Sequence, residues 1–411
     1  MIKRESYLNI VNNFMDTNFI KIFTGIRRCG KTTLLKSIIN ELKNNQVNEK
    51  NIIYISFESL KYQNINDSSQ LNELILNLTE DCEGKVYLLF DEIQLVNNWE
   101  KSINAFHTDL NCDIYLTGSN SMLLSGEYAT LLSGRYIQIN VFPFSFKEFL
   151  FYKKEIDGLI TEGNEKTFFE EYLEFGGMPG LLELKDNNAK KSVLSDIYAS
   201  IVYNDILGRY NIKKIDLFKR FSNYIMNTLG ETFSSQSISN YLKNEVEETS
   251  RNTILNFTNY LENAFFISKI KREDLIGKKL LKTQQKYYLM DHGFHHALIE
   301  SNWIKQTHVL ENIVYIELLR RGYNVKIGKI YDKEIDFVCE KDGNKIYIQV
   351  SWLLSSPDTF EREFKPLFKV KDQYDKFVFS MDKHDYSYKG IKHRNIIDFL
   401  LNDEFWRKSY M

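Results

Sequence analysis

Gly25, Gly30, Lys31 and Thr32 stand within the stretch FTGIRRCGKTTLLKSI at the spacing G-x-x-x-x-G-K-[ST]. Each residue type has a physical use there. Glycines at 25 and 30 let the backbone turn tightly and bring amide N–H groups within reach of phosphate oxygens. A helix opening at Lys31 would direct its positive end at the same anion. The Lys31 ammonium suits the β- and γ-phosphates, and the Thr32 hydroxyl, followed by Thr33, suits Mg²⁺. Arg27 and Arg28 lie inside the loop and would either touch phosphate or hold its shape. The stretch follows an apolar run and precedes a helix-like one, so it reads as a nucleotide site rather than a chance glycine–lysine turn.

A second constellation supports the first. In VYLLFDEIQ, apolar residues run straight into Asp91 and Glu92, as expected of a buried strand ending in two carboxylates. Asp91 would hold the metal through a water, and Glu92 would orient or deprotonate the attacking water. A carboxylate directly after the metal-holding one favours hydrolysis over mere binding. The polar end of YLTGSNS offers Ser119, and after it Asn120, as contacts to a γ-phosphate; an ordinary hydroxyl-rich turn is the plainer reading. Arg135 in LLSGRY would stabilise transition-state charge, in its own subunit or across an interface, or else is a surface arginine.

These residues need a sheet to present them. FIKIFTG, NIIYISF, KVYLLFDE and CDIYLTGS read as strands, while KTTLLKSIINELKNN and LNELILNLTED carry apolar residues at helical spacing. Strand–helix alternation with all-apolar strands implies a parallel sheet covered on both faces. After VFPFSFKEFL the pattern becomes mostly helical, broken by the glycine-rich FGGMPG. FFISKIKRED and QQKYYLMD look like two strands around a lysine-rich tip. From about Val309 a helix, LENIVYIELLRRG, precedes strands at EIDFVCE, KIYIQVSW and KFVFSMD. The expected division is a nucleotide domain over 1–150, a helical lid or linker over 151–210, a winged-helix-like part over 211–290 and a separate α/β unit over 291–411.

Composition bounds the alternatives. A chain of 411 residues exceeds a comfortable single core. Its 43% hydrophobic content and only 4 prolines fit packed domains. A net charge of −2 supplies no global attraction to nucleic acid or anionic lipid, so such contacts need a local patch. Cys29, Cys82, Cys112 and Cys339 show no metal-ligand pairing. With no secretory pattern in MIKRESYLNI and no spanning apolar run, a reduced cytoplasmic setting without membrane is expected.

TGIRRCGKTTLL, LLFDEIQ, LTGSNS, LSGRY, PFSFKEFL, GGMPG and EIDFV occur in that order over most of the chain. Together they resemble the prokaryotic AAA-type ATPases whose nucleotide domain precedes a C-terminal domain of unknown function. That resemblance implies ATP as the nucleotide, an α/β core, a helical lid and frequent homo-oligomers. PFSFKEFL carries no derivable chemistry, and its aromatics read as core packing.

The middle resembles a winged helix. Ser235 or Ser237 would cap a first helix and Thr249 or Ser250 a second, in which Ile254, Phe257, Leu261 and Phe265 should face a core. DNA contacts would come from Arg251, Asn252 and Asn256 on that helix and from Lys278, Lys279, Lys282 and Lys286 on the wing. Such small units also dock proteins. EIDFV followed by KIYIQVSW resembles the restriction-endonuclease-like core. Glu311 and Asp336 match acidic positions of that core, but Gln349-Val350-Ser351 stands where Glu-x-Lys is expected. Losing a charged ligand and the lysine leaves a weak divalent site, so the expectation is a vestigial nuclease site, with Glu334 as the carboxylate that would restore it. His292, His295 and His296 read as a helix-end group rather than a metal cluster. The leading expectation is a Mg²⁺-dependent ATP-hydrolysing switch acting on DNA or a protein partner. The alternatives are a DNA-binding or scaffold protein with ATP as structural ligand and, less favoured, an ATP-dependent nuclease.

Overall fold

The computed structural model describes residues 3–124, 132–157, 164–234, 238, 250–277, 279–299 and 306–403. Contacts divide the chain into two compact units. One comprises residues 1–141 with 263–265, the other 142–262 with 266–411.

In the first unit the elements run α1 (Glu5–Phe14), β1 (Ile20–Thr24), α2 (Lys31–Asn44), β2 (Ile52–Ser56), α3 (Ser68–Thr79), β3 (Val86–Asp91), α4 (Trp99–Asp109), β4 (Cys112–Gly118) and β5 (Tyr136–Asn140). The strands form one all-parallel sheet in the order β2-β3-β4-β1-β5. Period-2 alternation puts Ile20, Ile22, Ile53, Ile55, Leu88, Phe90, Ile114 and Leu116 in one core with Leu71 and Ile75 of α3 and Ile103 and Phe106 of α4. Asp67 caps α3, accepting from the amides of Ser69 and Gln70. α2 packs on β3 and β4. Because β4 lies between β1 and β3, the polar end of β4 falls between the glycine loop after β1 and the carboxylates ending β3.

The second unit begins with α5 (Phe146–Asp157), α6 (Glu165–Phe175), α7 (Asn187–Ser200), a π-helical turn (Ile201–Leu207), α8 (Ile215–Asn227) and α9 (Arg251–Asn263). β6 (Ile267–Asp274), β7 (Lys279–Leu289), α10 (Gly293–Leu298), α11 (Gln306–Arg320), β8 (Asn324–Ile330), β9 (Lys333–Lys341), β10 (Asn344–Val350), α12 (Pro357–Phe368), β11 (Asp375–Ser380), β12 (Ile391–Asn395) and α13 (Ile396–Leu401) follow. Seven strands form a mixed sheet, β12-β11-β10-β9-β8-β6-β7.

That sheet corrects the expected division at 290/291. β6 pairs in parallel with β8 across Lys271–Lys326 to Asp274–Lys329, so the strands read as a free-standing wing are the continuation of the C-terminal sheet. Ser250 does cap α9, accepting from the Thr253 amide at 3.1 Å; Ser235, Ser237 and Thr249 lie outside the described residues. Ile254, Phe257 and Leu261 are buried, but the core residue after the helix is Phe266, not Phe265. Phe265 turns the chain with φ 53°, which ends helical spacing before it.

FGGMPG and PFSFKEFL meet in this unit. The Gly177 carbonyl accepts from Phe144 N at 2.7 Å, and a Cβ at Gly177 would lie 2.1 Å from the Phe144 oxygen. The buried Asp291 carboxylate then takes the Gly177 and Gly293 amides at 2.8 and 2.9 Å. Burial, opposed by those two amides, pushes its pKa up to about 6. Phe146 packs on Phe169 and Tyr172 at centroid distances of 5.0 and 5.4 Å, so these aromatics are core. Among the described residues no helix is long and apolar enough to cross a membrane.

Candidate functional site

The loop after β1 needs its glycines for two separate reasons. Gly25 has φ 154° and passes so close to the β5 exit that a Cβ would sit 2.1 Å from the Val141 oxygen. Gly30, with φ 103°, ends the loop as the N-cap of α2. Arg28 between them is also left-handed at φ 63°. Such successive turns produce a concave run of amides at a helix N-terminus, a geometry suited to an anion. Arg4, nearly fully buried, braces the loop from outside by donating to the Cys29 carbonyl at 3.3 Å.

Lys31, Thr32, Asp91 and Glu92 converge beside this loop. The buried Lys31 ammonium donates to the carbonyls of Gly25 at 2.9 Å and Ile26 at 3.2 Å, and stands 3.9 Å from Glu92 Oε1. Thr32 Oγ1 donates to Asp91 Oδ1 at 3.2 Å. Thr117 donates to the same oxygen at 2.6 Å, and Tyr54 donates to Asp91 Oδ2 at 3.2 Å. Burial, together with the Asp91 charge, pushes the Tyr54 phenol up to about 12, so it remains a donor. Glu92 is left-handed at φ 55°, an uncommon conformation for this residue type. Its Oε2 accepts from Ser119 Oγ at 3.1 Å and from the Gln94 amide.

Of the residues read from sequence, Gly25, Gly30, Lys31, Thr32, Asp91, Glu92 and Ser119 are therefore brought to one place. Thr33 and Arg28 are exposed beside it, and Arg27 pairs with Glu58 at 2.9 Å. Arg135 stands apart from them. Its carbonyl accepts from Ile20 N at 2.8 Å at the start of β1, and its guanidinium donates to Asn104 at 2.6 Å. The glycine loop leaves the opposite end of that strand, roughly 15 Å away at 3.3 Å per residue, so Arg135 is not among the side chains of its own subunit's loop. Sequence reading missed Thr117, Tyr54, Gln94 and Arg4. Thr117 and Gln94 stood inside the quoted motifs; Tyr54 and Arg4 had no local signal.

Residues 17–150 match the family described as an AAA domain, and residues 166–305 match a domain of unknown function. An uncharacterised protein of Haemophilus influenzae is 39% identical over 402 residues, 98% of this chain and 99% of that protein. An uncharacterised protein of Methanocaldococcus jannaschii is 34% identical, with 86% of this chain and 79% of the other covered. The chain belongs to one family with these proteins. Its residues 17–150 carry the AAA domain. A Walker-type ATPase of Pyrococcus abyssi is similar in structure at 15% identity and a TM-score of 0.46, over 72% of this chain and 96% of that one.

A second carboxylate cluster lies in the other unit of this AAA protein. Asp336 on β9 and Gln349 on β10 are locked together: the Asp336 amide donates to Gln349 Oε1 at 2.8 Å, and Val350 N donates to Asp336 Oδ2 at 2.9 Å. Gln349 Nε2 donates to Glu363 of α12 at 2.9 Å. Lys286 from β7 reaches Glu334 at 2.5 Å and Glu311 at 4.0 Å, and Arg272 reaches Glu334 at 3.0 Å. Burial pushes Glu311 up to about 7, against the pull of Lys286. Burial and then Glu311 push Asp336 up as well. Burial lowers the Lys286 ammonium, but Glu311, Glu334 and Asp336 outweigh it and hold it above its ordinary value.

Lys286 is thus a correction to the wing reading: it is buried among carboxylates, not presented to phosphates. Ser351, where a lysine was expected, donates to the Leu353 carbonyl at 3.3 Å. Of the other expected DNA contacts, Arg251, Asn252 and Asn256 are exposed on α9. Lys278 and the side chains of Lys279 and Lys282 lie outside the described residues. The histidines each have a local setting. His292 Nε2 donates to the Tyr172 carbonyl at 2.6 Å, and His296 Nε2 lies 2.8 Å from Glu174.

Proposed function

We propose that this AAA protein is a Mg²⁺-dependent ATP-hydrolysing switch, with its chemistry at Lys31, Thr32, Asp91 and Glu92. One observation carries the reading: Lys31 and Thr32, opening α2 after the glycine loop, meet the carboxylates that follow β3, Lys31 at 3.9 Å from Glu92 and Thr32 at 3.2 Å from Asp91. The donor set fits the group it would hold. Thr32 Oγ1 and Asp91 Oδ1 are both hard oxygens and lie 3.2 Å apart, a donor set of the kind that would hold Mg²⁺, Thr32 directly and Asp91 through a water. Bound Mg²⁺ would neutralise charge developing on the transferred phosphoryl oxygens.

The remaining work belongs to the chain. Amides of Gly25 to Thr32 cradle the phosphates, and Lys31 exchanges its two loop carbonyls for phosphate oxygen. Glu92 takes the proton of the attacking water or aligns it. Ser119, bonded to Glu92, is the side chain that would report the γ-phosphate to the loop after β4. The deciding experiment is ATP turnover with Mg²⁺ in wild type, Lys31→Ala and Glu92→Gln, alongside ATP affinity by calorimetry. Turnover in wild type, loss in both variants and retained ATP binding in Glu92→Gln are expected. Wild-type turnover by Glu92→Gln overturns the assigned base, and no ATP binding by wild type overturns the whole reading.

For the second unit we infer a nuclease-like architecture used without nuclease chemistry. Support comes from Gln349, whose amide bridges Asp336 and Glu363, and from the Lys286 ammonium among Glu311, Glu334 and Asp336 where a catalytic metal would be needed. The partner, whether DNA or protein, is to be sought by ATP turnover with and without duplex DNA at several salt concentrations.

A further inference from the structure

Glu92 is held more elaborately than a strand-end carboxylate requires. Its two oxygens have different surroundings. Oε2 accepts from both the Gln94 amide and Ser119 Oγ, while Oε1 is the oxygen that faces Lys31, at 3.9 Å. The backbone contributes too: the Glu92 amide donates to Thr117 Oγ1 at 2.9 Å, and the residue is pinned in the left-handed region at φ 55°.

Gln94 itself is seated by a packing constraint. It lies on a single 3₁₀ turn, Ile93–Leu95, directly after Glu92. Its amide presses on the end of β4, where a Cβ at Gly118 would meet Gln94 Oε1 at 2.7 Å and Leu123 Cδ1 at 1.7 Å. A side chain at 118 would displace the Leu123 and Gln94 side chains from these positions. Among the described residues Gln94 Oε1 has no hydrogen-bond partner, so nothing described there makes the seat serve that oxygen. What it achieves is to aim Nε2 at the carboxylate.

We propose that Gln94 is a positioning residue for hydrolysis: with Ser119 it fixes one oxygen of Glu92 and thereby turns the other toward the phosphate side of the site. This rests on the ATPase reading above. A carboxylate on a freely rotating χ3 would present either oxygen in many orientations. Two donors on Oε2 restrict that rotation before nucleotide arrives, and misplacement of a catalytic group by about 1 Å can cost on the order of a hundredfold in rate. The hydrogen bond of Gln94 goes to Glu92 Oε2 and not to the glycine loop, so its removal should leave nucleotide binding intact.

The test is Gln94→Met, which keeps the length of the side chain and removes the donor. A fall in kcat of about tenfold or more is expected, with KM and the calorimetric ATP affinity within about twofold of wild type. A crystal structure of the nucleotide-free variant should show the Glu92 carboxylate rotated away from its wild-type orientation. Ser119→Ala should lower kcat in the same way, and the double variant should lose less than the product of the two single effects, since both donors serve one oxygen. An unchanged or raised kcat in Gln94→Met, or a parallel loss of ATP affinity, overturns the proposal. The two readings fail separately. If wild type does not hydrolyse ATP, the ATPase reading fails; if wild type hydrolyses, Glu92→Gln does not and Gln94→Met is normal, only the role of Gln94 fails.

Discussion

The molecule builds two clusters of acidic residues, one where β3 ends and one drawn from β9 and the helices α11 and α12, and gives them different partners. In the AAA domain, Asp91 and Glu92 meet neutral hydroxyl and amide donors: Thr32, Thr117, Tyr54, Ser119 and Gln94. The nearest cation, Lys31, spends its hydrogen bonds on loop carbonyls and is only 3.9 Å from Glu92. Charge there is oriented but not cancelled. In the second unit, Lys286 stands beside Glu311 and Glu334, Arg272 pairs with Glu334, Arg362 and the Gln349 amide meet Glu363, and the Asp336 carboxylate accepts from the Val350 amide. The first cluster is thus held by neutral donors and the second by cations of the fold, yet burial still pushes Glu311 and Asp336 up.

The sharpest way to break this contrast is in the AAA domain. Lys31→Ala should reduce ATP turnover by about a thousandfold or more, since the lysine stabilises charge on the transferred group; turnover near wild type would erase the difference between the clusters.

Lys286→Met probes the other side. Stranding carboxylates without their cation should cost about 3–5 kcal/mol in stability at neutral pH, with ATP turnover retained while the protein stays folded. The sign with pH follows from Glu311, whose folded pKa of about 7 lies above the ordinary carboxylate value. Its favourable contribution is full at low pH and is lost as pH rises through about 7. Without Lys286 that loss should steepen, so the variant's thermal midpoint should recover toward wild type near pH 5. Equal destabilisation at pH 5 and pH 8 would mean that Lys286 acts through packing alone.

Asp291→Asn offers a third, milder comparison: a buried carboxylate held by amides, as in the AAA site, but in the second unit. Replacing one acceptor oxygen with an NH₂ facing a glycine amide should cost about 1–3 kcal/mol. With a folded pKa of about 6, wild type loses stability as pH rises through that value and the variant does not, so the gap between them should narrow from pH 4 to pH 7. The smallest effect is expected from Tyr54→Phe, which removes one donor from Asp91 Oδ2. Mg²⁺ dependence of turnover should shift by about tenfold, with ATP affinity in the absence of metal unchanged.

Much of the AAA domain was legible in the chain. Apolar runs ending in Gly25, Asp91 and Gly118 specify buried parallel strands, and the spacing of glycines, lysine and threonine admits few uses other than a phosphate cradle. The second unit was less legible for a physical reason. β6 and β7 read as two strands around a lysine-rich tip, and nothing local records that β6 takes β8 as its second neighbour.

By itself, then, the sequence determined which residues could do phosphate chemistry, because a loop motif is local and its side chains are set by a few backbone angles. Tertiary structure decided what surrounds them. It placed Arg135 at the far end of the sheet, turned Lys286 from a surface cation into a buried one, and brought Tyr54, Thr117 and Gln94 onto Asp91 and Glu92. Those outcomes depend on strand order and on which distant segment covers a buried charge, and residues far apart in the chain carry no local signal of either.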